Sequence, residues 1–385
     1  MPHRDAAHAD RPGPALRNAG LDALRASVTL LVLFHHTALT YGAIGGWFYR
    51  ELQPDGSPSS MLLVFFCTLN QAWFMGLFFL LAGYFTPAAL HAKGPWRFMA
   101  DRLLRLGLPL LLFIALIGPL TIALAQTARG RPFTATLAWL WHHGTVETGP
   151  LWFALALLIF SAAAALLHAA RPAAGHDAPL ERPFPSDRLL ALAALAVGLV
   201  AFVLRLQWPV GRNVLGLQFG YFASYVALFA AGCLAAGPRW LERLPARSVQ
   251  RWRRVAWCAL PALPIVSLAA PWVDAFRGPP EGGWNLQAAV YALWEPLVAC
   301  GLILALLQRF QRRFQRLSGL RQSLARRAYA IYVIHPPVLV AIALAWKDVP
   351  APALLKFAVT GSLGCAGCYA LAGMLLKLPG ARRVF

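Results

Sequence analysis

The chain of 385 residues is 59% hydrophobic and only 13% charged, with a formal net charge of +20. A soluble domain carries about 25% charged residues and cannot hide so much apolar surface, so composition excludes a soluble fold and points to a membrane protein. The positive charge would suggest nucleic acid in a soluble protein; here its placement follows membrane topology, and no nucleic-acid partner is expected.

A bilayer core takes about 20 apolar residues per helix. That window predicts ten spans, near 23–41, 61–85, 103–125, 151–169, 189–206, 217–236, 255–273, 286–307, 328–346 and 353–376. Residues 1–18 are polar and Pro/Ala-rich and read as a disordered cytoplasmic tail. The first span lacks a small-residue cleavage site and reads as uncleaved. The segment 171–188, "RPAAGHDAPLERPFPSDR", reads as a Pro-rich cytoplasmic linker between spans four and five. Residues 19–385 otherwise form one transmembrane domain.

Arginine orients the bundle. The stretch between spans six and seven holds Arg239, Arg243, Arg247, Arg251, Arg253 and Arg254 against one acid, Glu242; that between spans eight and nine holds Arg309, Arg312, Arg313, Arg316, Arg321, Arg326 and Arg327 with none. The alternate loops hold few, among them Arg205 and Arg212. By the positive-inside rule both termini are expected in the cytoplasm, and an even span number agrees. The expected fold is an all-α polytopic membrane protein, a bundle of about ten transmembrane helices. The six cysteines all fall inside apolar runs, against a disulfide framework or a metal site. Cys365 and Cys368 in "GSLGCAGCYALAG" read as small residues at a helix–helix contact.

Polar side chains inside spans cost several kcal/mol and tend to mark function. In "LRASVTLLVLFHHTALTY" (residues 24–41), Arg25 and His36 are eleven residues apart. At about 100° per residue they lie within roughly 20° of one helix face, about 16 Å apart along the axis. Asp22 shares that face one turn earlier, with Thr29 between, whereas His35 points about 100° away. His36 is therefore the catalytic candidate and His35 is expected to make a hydrogen-bonded helix–helix contact. In "DRLLRLGLP" (101–109), Arg102 and Arg105 stand one turn apart at the mouth of span three, either as a topological anchor or as a clamp for an anionic ligand. In "YAIYVIHPP" (329–337), His335 precedes two prolines that free backbone carbonyls. Glu295 in "YALWEPLVACG" is a lone mid-span carboxylate that must be protonated, hydrated or paired with His36, His335 or an arginine. The outer loop "WLWHHGTVETGPLWF" adds His142, His143 and Glu147 at an aromatic belt.

At these residues the sequence resembles the acyltransferase-3 family of integral membrane acyltransferases. "LDALRASVTLLVLFHH" resembles the family's opening signature, an Arg, ten residues and the catalytic His, here Arg25 and His36. "WFMGLFFLLAGYFT" is similar to its glycine-containing second span, and "DRLLRLGLP" to its basic motif that holds acyl-CoA. "GPLWFALALLIF" resembles its Leu-Trp-Phe span, contributing Trp152, and "YAIYVIHPPVLV" its late Tyr…His-Pro span, contributing Tyr332 and His335. The stand-alone branch, without a fused hydrolase-like domain, is the nearer one. Acids that many longer members carry after the Trp are missing here, so their role falls in doubt or passes to Glu147 or Glu295.

The resemblance implies a bacterial inner-membrane O-acyltransferase with acyl-CoA as cytoplasmic co-substrate, no bound cofactor or metal, and a carbohydrate or cell-envelope glycan as acceptor. Acetyl and succinyl are the favoured groups. Arg102 and Arg105 would hold the donor, and Arg25 would hold donor charge or orient Asp22. His36 would deprotonate the acceptor hydroxyl or carry the acyl group itself, with His335 lining the channel or stabilising the oxyanion. Two rivals remain: a flippase for a lipid-linked sugar, which would use Glu295, and a haem protein with His36 and His335 as axial ligands. Oligomeric state is left open.

Overall fold

The computed structural model describes residues 18–170 and 182–385. The expected tail, apart from Asn18, and the first part of the expected linker lie outside these residues. Residues 182–186 are irregular chain leading into a helix at Asp187. The described residues are helical with no strand, and eight helices among them are long and apolar enough to cross a membrane. The protein is an integral, multi-pass membrane protein.

Helix starts follow local chemistry. The side chains of Asn18, Ser57, Ser186 and Asn285 each accept the backbone N–H three residues on, beginning α1 (Ala19–Thr40), α2 (Pro58–Arg102), α7 (Asp187–Gln207) and α11 (Leu286–Arg313). The eight long helices hold nine of the ten predicted spans. Spans two and three share one helical stretch, Pro58–Thr127, bent where Gly94 adopts φ 70° and leaves the helical region. Beyond the bend, π-helical turns at Leu103–Gly107 and Phe113–Ile117 alternate with α3 (Leu108–Leu112) and α4 (Gly118–Thr127), the α-segments that contain Pro109 and Pro119. After a short helix α5 (Phe133–His142) come α6 (Trp152–Ala169), α7 and α8 (Phe222–Ala236). Predicted span seven differs from expectation. It is broken at Leu260–Pro261 into α9 (Ala246–Ala259) and α10 (Ala262–Ala269), both too short to cross alone. Pro261 cannot continue the ladder of α9. Next along the chain are α11, α12 (Gly319–Ala345), α13 (Ala353–Leu375) and the terminal turn α14 (Ala381–Val384).

Helix α1 is central, packing against α2, α11, α12 and α13. The tightest crossing joins α2 to α8. There a Cβ on Gly83 would collide with the carbonyl of Phe229, and one on Gly232 with that of Leu80, so the two backbones touch. Without a hydrophobic drive between helices in lipid, this close approach is what holds the pair together. Cys368 is fully buried with Leu33, Ala330 and Leu339, and Cys365 packs beside it; both are free thiols, as the small-residue reading expects.

Gly232→Leu should force α2 and α8 apart and destabilise the protein by at least about 1–3 kcal/mol. Gly237→Leu, where a side chain meets open space, should leave the unfolding temperature in detergent near that of the wild type.

Candidate active site

The predicted stripe of α1 forms a wall of two cavities. Asp22, Arg25 and Thr29 line one of about 810 Å³; Val32, His35 and His36 line another of about 600 Å³. Met75 and Tyr332 line both, so these two side chains form a partition with one cavity on each side.

The larger cavity is strongly basic. Arg25, Arg102, Arg105, Arg326, Arg327, Lys377 and Arg382 line it, with Asp22 as the acid among them. These residues come from separate stretches of the chain, with Arg326 and Arg327 from the arginine-rich stretch between spans eight and nine, and tertiary structure gathers them round one opening. Arg25 donates to Asp22 at 3.0 Å, Arg102 lies over the Phe98 ring, and Arg327 donates to the Tyr369 carbonyl. Deeper in, Phe78, Leu81, Leu106, Phe153 and Leu157 make an apolar sleeve toward Met75.

In the second cavity, the geometry at His36 fixes its protons. Pro336 has no N–H, so the carbonyl of Tyr332, four residues earlier, loses its helical partner. The Nδ1 of His335 fills that vacancy at 2.6 Å. A carbonyl only accepts, so His335 carries its proton on Nδ1 and presents a lone pair at Nε2. The Nδ1 of His36 lies 2.8 Å from that Nε2 and must donate to it. His36 is thereby left with a lone pair on its own Nε2, in a ring that lines the cavity. His335 is fully buried and does not line the channel as expected. Both its ring nitrogens are engaged, so it has no free N–H for an oxyanion. Their direct contact also leaves no gap for an iron between His36 and His335, which removes the axial-ligand arrangement.

Trp47, which the sequence reading did not single out, stacks on His36 with ring centroids 4.2 Å apart and planes within 6°, and reaches over His335. It rides on the loop after α1. That loop is tied down by the buried Lys356–Glu51 ion pair, by Thr40 carbonyl bonds to Glu51 and Leu52, and by the Tyr41–Thr360 hydroxyl contact. A tryptophan among the glycines of "YGAIGGWFYR" was the available signal.

The remaining candidates divide. Tyr332 donates its hydroxyl to the Pro150 carbonyl, fastening α12 to the turn before α6. Trp152 lines the smaller cavity and stacks on Tyr225, which accepts from Gln71. Glu147 lines the same cavity and caps Gly149, whereas His142 and His143 do not line it. His35 matches expectation in part, since its ring packs against Phe74 of α2 with centroids 5.0 Å apart. The hydrogen bond to α2, however, is made by its backbone carbonyl, which accepts from Cys67, and the residue also lines the cavity.

Glu295 does not join the imidazoles. It pairs with Arg205, which the sequence reading had counted with the loop arginines but which is buried in the last turn of α7. Arg205 also donates to the Gly220 carbonyl at 3.0 Å and lies between the faces of Tyr221 and Tyr291. Those two tyrosines line the smaller cavity, so the ion pair stands behind its wall. Arg205→Leu or Glu295→Leu alone should cost about 3–5 kcal/mol by stranding a buried charge. The double variant should recover most of that loss in thermal unfolding.

No curated protein and no solved structure matches the chain. A family profile does, that of the acyltransferase domain, over residues 18–373. That match takes in α1 with His36, the five arginines Arg25, Arg102, Arg105, Arg326 and Arg327 of the basic mouth and the His335 helix, and the chain therefore belongs to the acyltransferase-3 family of membrane acyltransferases.

Proposed function

We propose that the protein is an O-acyltransferase of the bacterial inner membrane that moves a short acyl group from cytoplasmic acyl-CoA to a hydroxyl of a carbohydrate or cell-envelope glycan. The observation that carries this reading is that two cavities, one basic and one lined by His36, share Met75 and Tyr332 as a common wall. In this reading both termini and the basic mouth face the cytoplasm, where acyl-CoA is available.

CoA carries several phosphate charges, and the arginines of the larger cavity supply a complementary field. Arg102 and Arg105 hold the phosphates, while Arg25, already bonded to Asp22, contributes at the rim. The pantetheine arm follows the apolar sleeve and delivers the thioester to His36. The acceptor enters the other cavity, where Trp47, Trp152 and Tyr221 offer ring faces and Asn213 and Gln218 offer amides. That mixture suits a hydroxyl-rich ring. The Nε2 of His36 takes the hydroxyl proton as the oxygen attacks the thioester carbon, and His335 holds the imidazole in the tautomer that makes this possible. The described lining of the His36 cavity contains no Lys or Arg. A succinyl carboxylate would find no cation there, which favours acetyl.

The flippase alternative drew on Glu295 as a mid-membrane carboxylate beside a transport route. Its bond to Arg205 behind the cavity wall supports a structural role instead.

His36→Ala, at wild-type protein level, should abolish acylation, read as the acyl mass increment on envelope glycans from cells with and without the gene. Retained acylation would remove His36 from the mechanism. His335→Leu should lower kcat by roughly 10²–10⁴-fold with little change in donor KM. Arg102→Ala with Arg105→Ala should raise the KM for acetyl-CoA at least about tenfold, and added salt should reproduce part of that rise in the wild type. Membranes supplied with acetyl-CoA should outpace those supplied with succinyl-CoA.

A further inference from the structure

Base and relay are accounted for by His36 and His335, but the negative charge that builds on the thioester oxygen is not. Donors preorganised toward that oxygen are often the largest single contribution to acyl-transfer rates. Around His36 the choice is narrow. His335 has both nitrogens engaged. The Gln71 amide donates to Tyr225, the Thr68 hydroxyl to Val64, and the Cys67 thiol to the His35 backbone. The indole N–H of Trp47 is enclosed.

His35 is left. The residue is 8% exposed and lines the cavity, and its ring centroid sits 5.5 Å from that of His36 at an interplanar angle of 87°. Its Nδ1 is enclosed with no hydrogen-bond partner among the described residues, which leaves Nε2 as the nitrogen turned to the cavity. An enclosed N–H without an acceptor is a costlier orphan than an enclosed lone pair. The proton therefore belongs on Nε2. Adjacent residues thus present opposite chemistry to one space, a donor N–H from His35 and an acceptor nitrogen from His36.

We propose that His35 is the oxyanion donor of this site, an inference that rests on the reading of His36 as base. The acceptor oxygen bonds to the thioester carbon while its proton passes to His36 Nε2. The carbonyl π pair moves onto oxygen and is held by the His35 Nε2–H. On collapse that pair re-forms the carbonyl, the C–S bond breaks, and the CoA sulfur leaves with the proton from His36.

The test compares His35→Phe, which keeps ring bulk without a donor, with His35→Gln, which keeps an N–H. His35→Leu replaces Phe if that ring disturbs packing. Membrane vesicles from cells producing the full chain are given labelled acetyl-CoA, with succinyl-CoA in parallel, and label in glycan is followed; unfolding in detergent checks each variant. His35→Phe should lose roughly 10²–10³-fold in kcat with donor KM within about threefold, and His35→Gln should recover at least about tenfold of that. The proposal is overturned if folded His35→Phe stays within about fivefold of wild type, if folded His35→Gln is no faster than Phe, or if only KM changes. His36→Ala in the same assay separates the two readings. If it is active, the base assignment fails and takes this one with it; if it is inactive while His35→Phe is not, the oxyanion assignment alone fails.

Discussion

A polar group at bilayer depth must find a partner or border a wet cavity, because hydrocarbon offers neither donors nor acceptors. In α12 that constraint is met by linking two defects. Pro336 strips the Tyr332 carbonyl of its helical donor, and His335, one residue earlier, returns a donor from its ring. Bonding at Nδ1 sets the tautomer of His335, which sets that of His36, which leaves a free nitrogen facing the smaller cavity. A backbone vacancy made by proline thus decides, through two rings, where a lone pair lies. Trp47 covers both rings and holds them nearly coplanar.

The same helix face that carries His36 carries Arg25 three turns below, and the structure uses it as a wall for both cavities. On the proposed reading, recognition of charge and the imidazole chemistry are therefore separated along one rigid element. Positive charge gathers at the far mouth, while the lining near His36 has neither Lys nor Arg among the described residues. On the proposed reading this lets polyanionic CoA bind firmly without its phosphates crowding the reacting carbon. It also keeps cations from stabilising a charged acyl group at the imidazole.

Arg205 and Glu295 obey the same constraint in another way. Each would be prohibitive alone, and together they close an ion pair flanked by Tyr221 and Tyr291. Such a pair contributes little net stability over an apolar substitute, but it allows few alternative packings. It joins α7 to α11 directly behind the tyrosines that shape the smaller cavity. Its rigidity bears on that wall rather than on the reacting atoms.

What the sequence determined by itself was local and periodic. Membrane class, nine of the ten spans as continuous helix, and the shared face of Asp22, Arg25 and His36 all follow from composition and a 3.6-residue repeat. The tenth, span seven, was misjudged because hydropathy averages over Pro261, whereas the backbone breaks there. Partner choice between helices belonged to the tertiary structure alone. His36 meets His335 across 299 residues, Glu295 chooses Arg205 over either imidazole, His35 lines the cavity, and Trp47 arrives from a loop. Periodicity says which side chains share a face; only the rotation and crossing of packed helices say what that face meets.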